Sequence, residues 1–402
     1  MNLADMLSYA DVKQLSTIAK HYECPCDTHS KRDMIQSILN TLNHREIFEK
    51  SIGSLELEDL RFIHALLFDQ REAYSLEELT AKARQARFDY AEEDQNWSPR
   101  QTILRFKQRG WLFNGHSHQT KFLFQIPNDL KRRMADLLTV RLRQEVRYAS
   151  EPEMYREEQQ LLAEDVQRFL RFVRQQDITL TQDGVIYKRH LQPLMDALSV
   201  QEEPVSKGGW RFGYGRRFRD YPNRFSLLYD YCYYHQYIEE HEGRLRLREH
   251  GERRISEGTR ESPLALYKFW LKLYQTPVRN LNAHVQWIRR LAGEWVTVQS
   301  LRQVLGPFIQ PFYYDTPDSI LEHRILQMLM HLGLVRIGEH AQAGLVVQTT
   351  ALGDRLISGT FVADEEAIPM EGPVPVMEEG DAVMSERMRT GLAAGIDKPL
   401  HG

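Results

Sequence analysis

The stretch PRQTILRFKQRGWLFNGHSHQTKFLFQ, residues 99–125, contains the clearest fold signal in the chain. Pro99 suits the first turn of a helix, and Gly110 is a typical helix end. Two short apolar segments, Trp111–Phe113 and Lys121–Gln125, then flank a polar turn, which is typical of a β-hairpin. The stretch therefore predicts a helix up to Gly110 followed by two antiparallel strands.

Two further helices are predicted upstream of this stretch. Apolar residues at helical spacing mark the first at Leu60–Leu67, and Ser75 with Glu78 three residues later predicts the capped start of the second. Three helices followed by a hairpin form the plan of a winged-helix fold, in which the third helix can enter a major groove. The basic residues of that helix are therefore candidates for DNA contact: Arg105, Lys107 and Arg109.

The same order of elements returns near the end of the chain. Three helical patterns and two strand patterns follow one another at 285–291, 297–305, 319–332, 334–337 and 346–349. As in the first unit, a glycine separates the third helix from the first strand. The repeat is one of structure rather than of sequence, and it predicts a second winged-helix-like unit.

A middle unit of the same type is predicted between these two. In Arg244–Arg248, with the sequence RLRLR, strict alternation places three arginines on one face of a strand and two leucines on the other. Tyr237–Ile238 is the predicted partner strand across Gly243. The middle unit should therefore carry a wing whose basic outer face is made by Arg244, Arg246 and Arg248.

The most basic part of the chain is SKGGWRFGYGRRFRDYPNRF, residues 206–225, which we call the aromatic-basic loop. It has a net charge of +5 in a chain of net charge −4, and six aromatic rings are interleaved with its basic residues. Arginines suit phosphates, rings suit base stacking, and glycines permit close backbone approach. The nucleic-acid-binding candidates are Lys207, Trp210, Arg211, Tyr214, Arg216, Arg217 and Arg219. The alternative is a structural loop, whose rings pack in the core and whose arginines pair with acids elsewhere.

Two motifs connect the middle and C-terminal units to a known family. The first is LTQDGVIYKRHL, residues 180–191, and the second is QTTALGDRL, residues 348–356. With the segments between them, they resemble bacterial helicase-associated proteins of the XPB N-terminal type, although Asp354 displaces the family's arginine by one position. The resemblance covers about residues 160–358. It implies modules rich in winged helices that bind DNA or regulate a helicase.

The composition predicts an ordinary cytoplasmic globular protein. Apolar residues make up 42% of the chain and charged residues 27%, and no apolar run is long enough to span a membrane. The start of the chain carries Asp5 and lacks the apolar core of an export signal. We expect five segments: a helical SAP-like cap (1–50), a winged-helix-like domain (51–150), a middle helicase-associated domain with the aromatic-basic loop (151–280), a C-terminal winged-helix domain (281–359) and a disordered acidic tail (360–402).

No pattern in the sequence predicts catalysis. There is no glycine-rich phosphate loop ending in Gly-Lys-Ser/Thr, so the motor of a helicase is missing. Three cysteines are too few and too unevenly placed for a disulfide framework, and Cys24-Pro25-Cys26 lacks the second pair of ligands of a structural zinc site. We expect no metal and no cofactor.

These patterns lead to a mainly helical α+β fold with tandem winged-helix-like units and small β-hairpin wings. We expect a non-catalytic DNA-binding or helicase-accessory protein whose partners are duplex or forked DNA and a helicase or another DNA-processing protein. The alternative is an assembly module of a nucleic-acid-processing complex that does not itself bind DNA, since winged helices often mediate assembly and the overall charge is not basic.

Overall fold

The computed structural model describes residues 1–89, 97–205 and 212–370. This part of the chain is mixed α+β: helices predominate, and its strands form small antiparallel sheets. The predicted class, mainly helical with small hairpins, is confirmed at this level. Within the same residues, no helix combines the length and apolarity that a membrane span requires.

The N-terminal segment is a helical cap on the unit that follows it. Its helices are α1 (Leu3–Tyr9), α2 (Val12–His21), α3 (Lys31–Asn43) and α4 (Arg45–Gly53). Helix α2 begins where the Asp11 carboxylate accepts a hydrogen bond of 2.7 Å from the backbone N–H of Gln14. From this helix, Gln14 Nε2 donates to the Leu112 carbonyl (3.3 Å), and just beyond it Tyr22 Oη donates to the Arg109 carbonyl (3.0 Å). The cap is thereby fixed to the helix–hairpin junction predicted above.

The first unit has the predicted order of elements. It consists of α5 (Leu57–Leu67), α6 (Leu76–Gln85), α7 (Pro99–Gln108), β1 (Phe113–Asn114) and β2 (Phe124–Gln125), and α8 (Asn128–Glu145) follows it. The capping box at α6 is confirmed: Ser75 Oγ accepts from the Glu78 N–H, and the Glu78 carboxylate accepts from the Ser75 N–H. The strands are shorter than predicted because the backbone N–H of Trp111 donates to the Phe106 carbonyl at the end of the helix, and those of Lys121 and Leu123 donate to carbonyls within the turn.

The middle unit contains the three-stranded sheet that carries the candidate wing. Its elements are β3 (Met154–Arg156), α9 (Leu161–Gln175), β4 (Ile178–Thr179), α10 (Lys188–Asp196), α11 (Asn223–Tyr234), β5 (Ile238–His241), β6 (Arg244–Leu247), α12 (Glu249–Glu257) and α13 (Pro263–Tyr274). The sheet has the order β4-β6-β5, so β6 is central and pairs with both neighbours. Strand β3 leaves this unit and pairs with the C-terminal sheet.

The C-terminal unit has a longer hairpin than the sequence predicted. It comprises α14 (Leu281–Leu291), β7 (Val296–Thr297), α15 (Val298–Leu305), a 3-10 turn (Gly306–Phe308), α16 (Pro317–Ser319), a π-helical stretch (Ile320–Leu326), α17 (Gln327–His331), β8 (Val335–His340), β9 (Gly344–Thr349) and α18 (Ala351–Gly359). Its sheet has the order β3-β8-β9-β7. The added strand β3 pairs with residues 337–339, of which 338 and 339 lie beyond the predicted end of the strand.

All three units share one further feature. A short extended segment precedes the second helix and pairs with the last strand of the hairpin: Tyr74 with Phe124 in the first unit, β4 with β6 in the middle unit, and β7 with β9 in the C-terminal unit. Buried apolar side chains from the three units form one continuous core, from Leu3 to Val362. The units are therefore joined by packing as well as by the chain.

The beginning of the predicted acidic tail is packed against the body. Val362 is 3% exposed, and the backbone N–H of Ile368 donates to the Lys272 carbonyl (2.8 Å). Asp364 pairs with Arg71 at 3.3 Å, while Glu366 pairs with Lys272 at 2.7 Å. The prediction of a disordered tail from residue 360 is therefore wrong for 360–370, because these acids meet cations of the folded units; residues 371–402 lie outside the described ranges.

Candidate nucleic-acid interface

The described part of the aromatic-basic loop, residues 212–225, is tied to the middle sheet by Glu240. The Glu240 carboxylate accepts hydrogen bonds from Arg216 Nη2 (2.9 Å), Arg217 Nη2 (2.7 Å) and Tyr229 Oη (2.7 Å). Burial by itself raises the pKa of Glu240, but these donors outweigh burial and lower the pKa to about 2. Arg216 and Arg217 thus neutralise a half-buried carboxylate, so both guanidinium groups are engaged inside the protein and not at a free surface; their predicted phosphate contact stays a prediction.

Tyr214 is also directed into the protein. It is 2% exposed, its ring centroid lies 5.2 Å from that of Tyr274, and the Arg324 guanidinium lies 5.1 Å from its centroid. With the ring buried between these groups, the surface that base stacking requires is not exposed in this structure, and the stacking role of Tyr214 stays a prediction. Arg219 is exposed beside the Phe218 ring. Three other candidates of this loop lie outside the described residues: Lys207, Trp210 and Arg211.

The basic residues of α7 are largely engaged by the first unit itself. Arg105 Nη2 lies 2.8 Å from the Glu58 carboxylate and 2.7 Å from that of Asp59, and Arg109 is 3.5 Å from Asp59. Lys107 Nζ donates to the Asn114 side chain (2.8 Å), and burial lowers the pKa of this lysine. The acids of α5 therefore neutralise much of the positive charge that the sequence had assigned to a DNA surface on α7.

The outer face of the β5–β6 hairpin carries the predicted arginines. Leu245 is buried, whereas Arg244, Arg246 and Arg248 are exposed, so the alternation predicted from RLRLR is confirmed. Arg244 pairs with Asp177 at 2.6 Å, and Arg248 pairs with Glu239 at 3.1 Å. Arg246 has no ion-pair partner among the described side chains.

A groove of about 660 Å³ lies beside this face, between the turn of the β5–β6 hairpin and the start of α10. Its cationic lining residues are Lys188, Arg189 and Arg244, its one acidic lining residue is Glu242, and Tyr187, 46% exposed, supplies an aromatic ring. Arg189 Nη2 donates to Thr179 Oγ1 (3.0 Å), and its guanidinium lies 5.6 Å from the Tyr187 ring centroid. We call the outer face of the hairpin and this groove together the basic groove.

The fold produces the basic groove because α10 is amphipathic. Leu191, Leu194 and Met195 are buried against the unit, which leaves Lys188 and Arg189 exposed in the first turn. Cations in the first turn are disfavoured by the helix dipole, so a bound anion would relieve an unfavourable arrangement. Sequence reasoning used Lys188 and Arg189 only as part of a family motif. The available signal was their position at a helix start, where acids are the usual residues.

The ion pairs of the basic groove are weak enough to be exchanged. The Arg244 and Asp177 side chains are 46% and 65% exposed, and exposed pairs contribute roughly 0–1 kcal/mol. A phosphate can therefore replace Asp177 on Arg244 at little cost, unlike Glu240 on the half-buried Arg216 and Arg217. Within the described ranges, no group of three or more His, Cys, Asp or Glu side chains is arranged to hold a metal ion.

Comparisons of this chain with protein-family models, curated proteins and solved structures find no match.

Proposed function

We propose that the protein is a non-catalytic DNA-binding protein of the helicase-accessory type, and that the basic groove of the middle unit is its DNA-contacting surface. The observation that carries the proposal is the convergence of Lys188, Arg189, Arg244 and Arg246 on one exposed surface with a solvent-facing aromatic ring. Phosphate contacts from Lys and Arg supply most of the affinity of non-specific nucleic-acid binding.

The order of elements supports winged-helix units. In each unit a helix, a short extended segment, two helices and a hairpin follow one another, and the extended segment pairs with the last strand of the hairpin. In a winged-helix protein, the hairpin is the wing, which lies against the backbone or a groove of the duplex. The proposal thus assigns the wing of the middle unit, rather than the described part of its aromatic-basic loop, to DNA.

The helicase-accessory part of the proposal comes from the family resemblance. The segment 180–191 that carries the resemblance is also the segment that brings Tyr187, Lys188 and Arg189 to the basic groove. A phosphate backbone lying along the groove would contact the two cations of α10 and then the arginines of β6. The Tyr187 ring could stack on an unpaired base, which suits forked DNA better than a continuous duplex.

Fluorescence anisotropy across a salt series tests the proposal. The double variant Lys188→Ala/Arg246→Ala should weaken binding to duplex and forked DNA and reduce the salt slope by about 2, since each phosphate contact contributes about 0.9 to the slope. The control is Arg45→Ala/Lys50→Ala on α4, which removes the same charge from exposed positions of the N-terminal cap. Equal slopes for the two double variants would contradict the proposed site.

The measurement should include a chain ending at Met370. Residues beyond Met370 carry six acids and three bases, and deletion from 371 leaves the packed segment 360–370 in place. Tighter DNA binding by the shortened chain would mean that the acidic segment competes with DNA. DNA binding by neither form at low salt would contradict the proposed function.

One observation favours the alternative of a protein-assembly module. Tyr9, Leu104 and Phe122 are 63%, 53% and 74% exposed, and Tyr9 and Leu104 line a groove of about 570 Å³ between α2 and α7. Exposed apolar groups in one place are typical of protein contacts. If DNA binding is absent, Leu104→Ser should be compared with the parent chain in analytical ultracentrifugation and in partner-capture experiments.

A further inference from the structure

A cavity of about 160 Å³ lies where the first and C-terminal units meet. Its walls come from α5, α8, α14, α15 and the 3-10 turn. Most of the lining is apolar: Leu57, Leu60, Leu138, Leu142, Val304, Pro307, Phe308 and the indole of Trp287. A dry cavity of roughly this volume in another protein accommodates benzene. The cavity therefore has the size and the lining for a small apolar molecule.

His64 contributes the buried polar group of the cavity wall. It is 2% exposed, and its Nδ1 accepts a hydrogen bond of 2.8 Å from Trp287 Nε1. Burial and the neighbouring His284 hold the pKa of His64 well below its usual value, so the imidazole is neutral at pH 7. A neutral imidazole that accepts at Nδ1 carries its hydrogen on Nε2, which makes Nε2 a donor.

This donor has no acceptor within the described part of the chain. His64 Nε2 is buried without a hydrogen-bond partner, even though the His284 and Phe308 ring centroids lie only 4.6 Å and 5.1 Å from that of His64. The two rings and the bond from Trp287 hold the imidazole in place. A buried donor without an acceptor is costly to the folded protein, and an occupant that carries an acceptor would relieve the cost.

We propose that this cavity is a binding site for a small, largely apolar molecule of about the size of a six-membered ring that carries one hydrogen-bond acceptor for His64 Nε2. The polar residues at the cavity wall are Arg141, Glu145 and Gln303. Arg141 and Glu145 are 48% and 53% exposed, so they mark the side that faces solvent and by which a ligand enters. The site is separate from the basic groove and does not depend on DNA binding.

Pyridine and benzene form a matched pair of probes. They have the same shape, but only pyridine carries an acceptor, and pyridine is uncharged at pH 8. Binding is measured on the full chain at pH 8 by saturation-transfer NMR and by the shift of the melting temperature. Because pyridine is hydrated more strongly than benzene in water, the measured quantity is the ratio of the two affinities, compared between the parent chain and His64→Phe. We expect the pyridine-to-benzene affinity ratio to be at least about fivefold higher for the parent chain, since a neutral hydrogen bond is worth roughly this factor.

Two Leu→Phe substitutions separate the cavity from non-specific effects. Leu138→Phe adds a ring to the cavity wall and should abolish pyridine binding, whereas Leu104→Phe, on the exposed side of α7, should leave it unchanged. His64→Phe keeps the ring volume and removes the donor, so the affinity of pyridine relative to benzene should fall at least about fivefold. If His64→Phe does not fold, the loss of pyridine binding in Leu138→Phe still tests the cavity, and if Leu138→Phe does not fold, the affinity ratio in His64→Phe still tests the donor.

Three results would overturn the proposal. They are a pyridine-to-benzene affinity ratio that is unchanged in a folded His64→Phe variant, pyridine binding that survives Leu138→Phe in a folded protein, and no binding of either probe at millimolar concentration, which would mean that the cavity holds only water.

Discussion

The aromatic-basic loop and the β5–β6 hairpin both carry closely spaced arginines, but these arginines differ in their exposure to solvent. In the loop, Arg216 and Arg217 have side chains that are 18% and 10% exposed and share the Glu240 carboxylate. In the hairpin, Arg244 and Arg246 face solvent. A local excess of arginine in a sequence therefore favours a phosphate-binding surface only where the backbone directs the side chains into solvent.

Glu240 links the two regions. It lies opposite Leu245 in the β5–β6 ladder, so it belongs to the inner face of the hairpin, while Arg246 lies opposite Glu239 on the outer face. The inner face binds the loop arginines and Tyr229, and the outer face remains available for ligands. The β5–β6 hairpin therefore separates the charges that form ion pairs inside the protein, on its inner face, from the charges that are exposed to solvent, on its outer face.

Replacement of Arg224, near the end of the aromatic-basic loop, should have the largest effect among the arginines that form ion pairs inside the protein. Arg224 is fully buried, with Nε 2.8 Å from Glu158 and Nη2 2.7 Å from Asp165. Arg224→Met should reduce the free energy of unfolding by about 3–5 kcal/mol, because two buried carboxylates lose the buried cation that joins them and keep as ion-pair partners the more exposed Arg156 and Arg168 and the side chain of His331. Urea denaturation measures the effect.

The matched control for this test is Arg253→Ala, which removes an exposed arginine paired with Glu249 on α12. Its unfolding free energy should change by no more than about 0.5 kcal/mol. Similar losses for Arg224→Met and Arg253→Ala would mean that burial does not distinguish the two kinds of arginine.

Glu240→Gln should cost about 3 kcal/mol at pH 7, since two largely buried guanidinium groups lose their counter-charge. The carboxylate has a pKa of about 2 in the folded protein and an ordinary value of 4.5, so its contribution is complete above pH 4.5 and is lost as the pH falls towards 2. The difference in unfolding free energy between parent and variant should therefore narrow at low pH. If the difference in unfolding free energy between parent and Glu240→Gln is the same at pH 7 and pH 3, the ion pairs of Glu240 with Arg216 and Arg217 are not its source.

Gly184→Ala tests the contact between the loop and the turn after β4. Gly184 has φ +74°, and an added Cβ would meet the Arg217 guanidinium. The control is Gly258→Ala, which has φ +62° but open space around its Cβ position. We expect losses of about 2 kcal/mol and about 1 kcal/mol, because both variants have the left-handed backbone and only one disturbs Arg217. Thermal or urea unfolding gives the difference, and equal losses would contradict a tight contact.

Arg246→Ala should have the smallest effect on stability. Its side chain is exposed on the outer face and has no ion-pair partner among the described residues, so the unfolding free energy should change by no more than about 0.5 kcal/mol. A larger loss of unfolding free energy in urea denaturation would show that Arg246 also stabilises the fold. The arginines of the outer face and those of the loop would then not differ in their contribution to stability.

Regular elements could be predicted well from the sequence. Ser75 with Glu78 marked the start of α6, and the alternation in Arg244–Arg248 gave the correct face for each side chain. Both depend on contacts between near neighbours or on the period of a strand, which are local properties. The basic groove was only half predictable, because the alignment of α10 with β6 joins residues more than fifty positions apart.

Irregular segments were the places where the sequence did not indicate the contacts of the side chains. Tyr214, Arg216 and Arg217 lie in a loop without a repeating period, so no pattern indicates which side chains turn inward. The partner of both arginines, Glu240, lies more than twenty residues away on the hairpin. The packing of segment 360–370 could not be predicted for the same reason. Its acids are neutralised by Arg71 and Lys272, which lie in distant parts of the chain.

By itself, the amino-acid sequence determined most of the helices of the three units, the cap of α6, the three hairpins and the two faces of β6, because these follow from hydrogen bonds and side-chain periodicity over a few residues. Only the tertiary structure decided which charges are used inside the protein and which remain at its surface. Ion pairs such as Arg216 with Glu240 and Arg105 with Asp59 depend on how distant segments meet, and burial then determines whether a charge stabilises the fold or is available to a ligand.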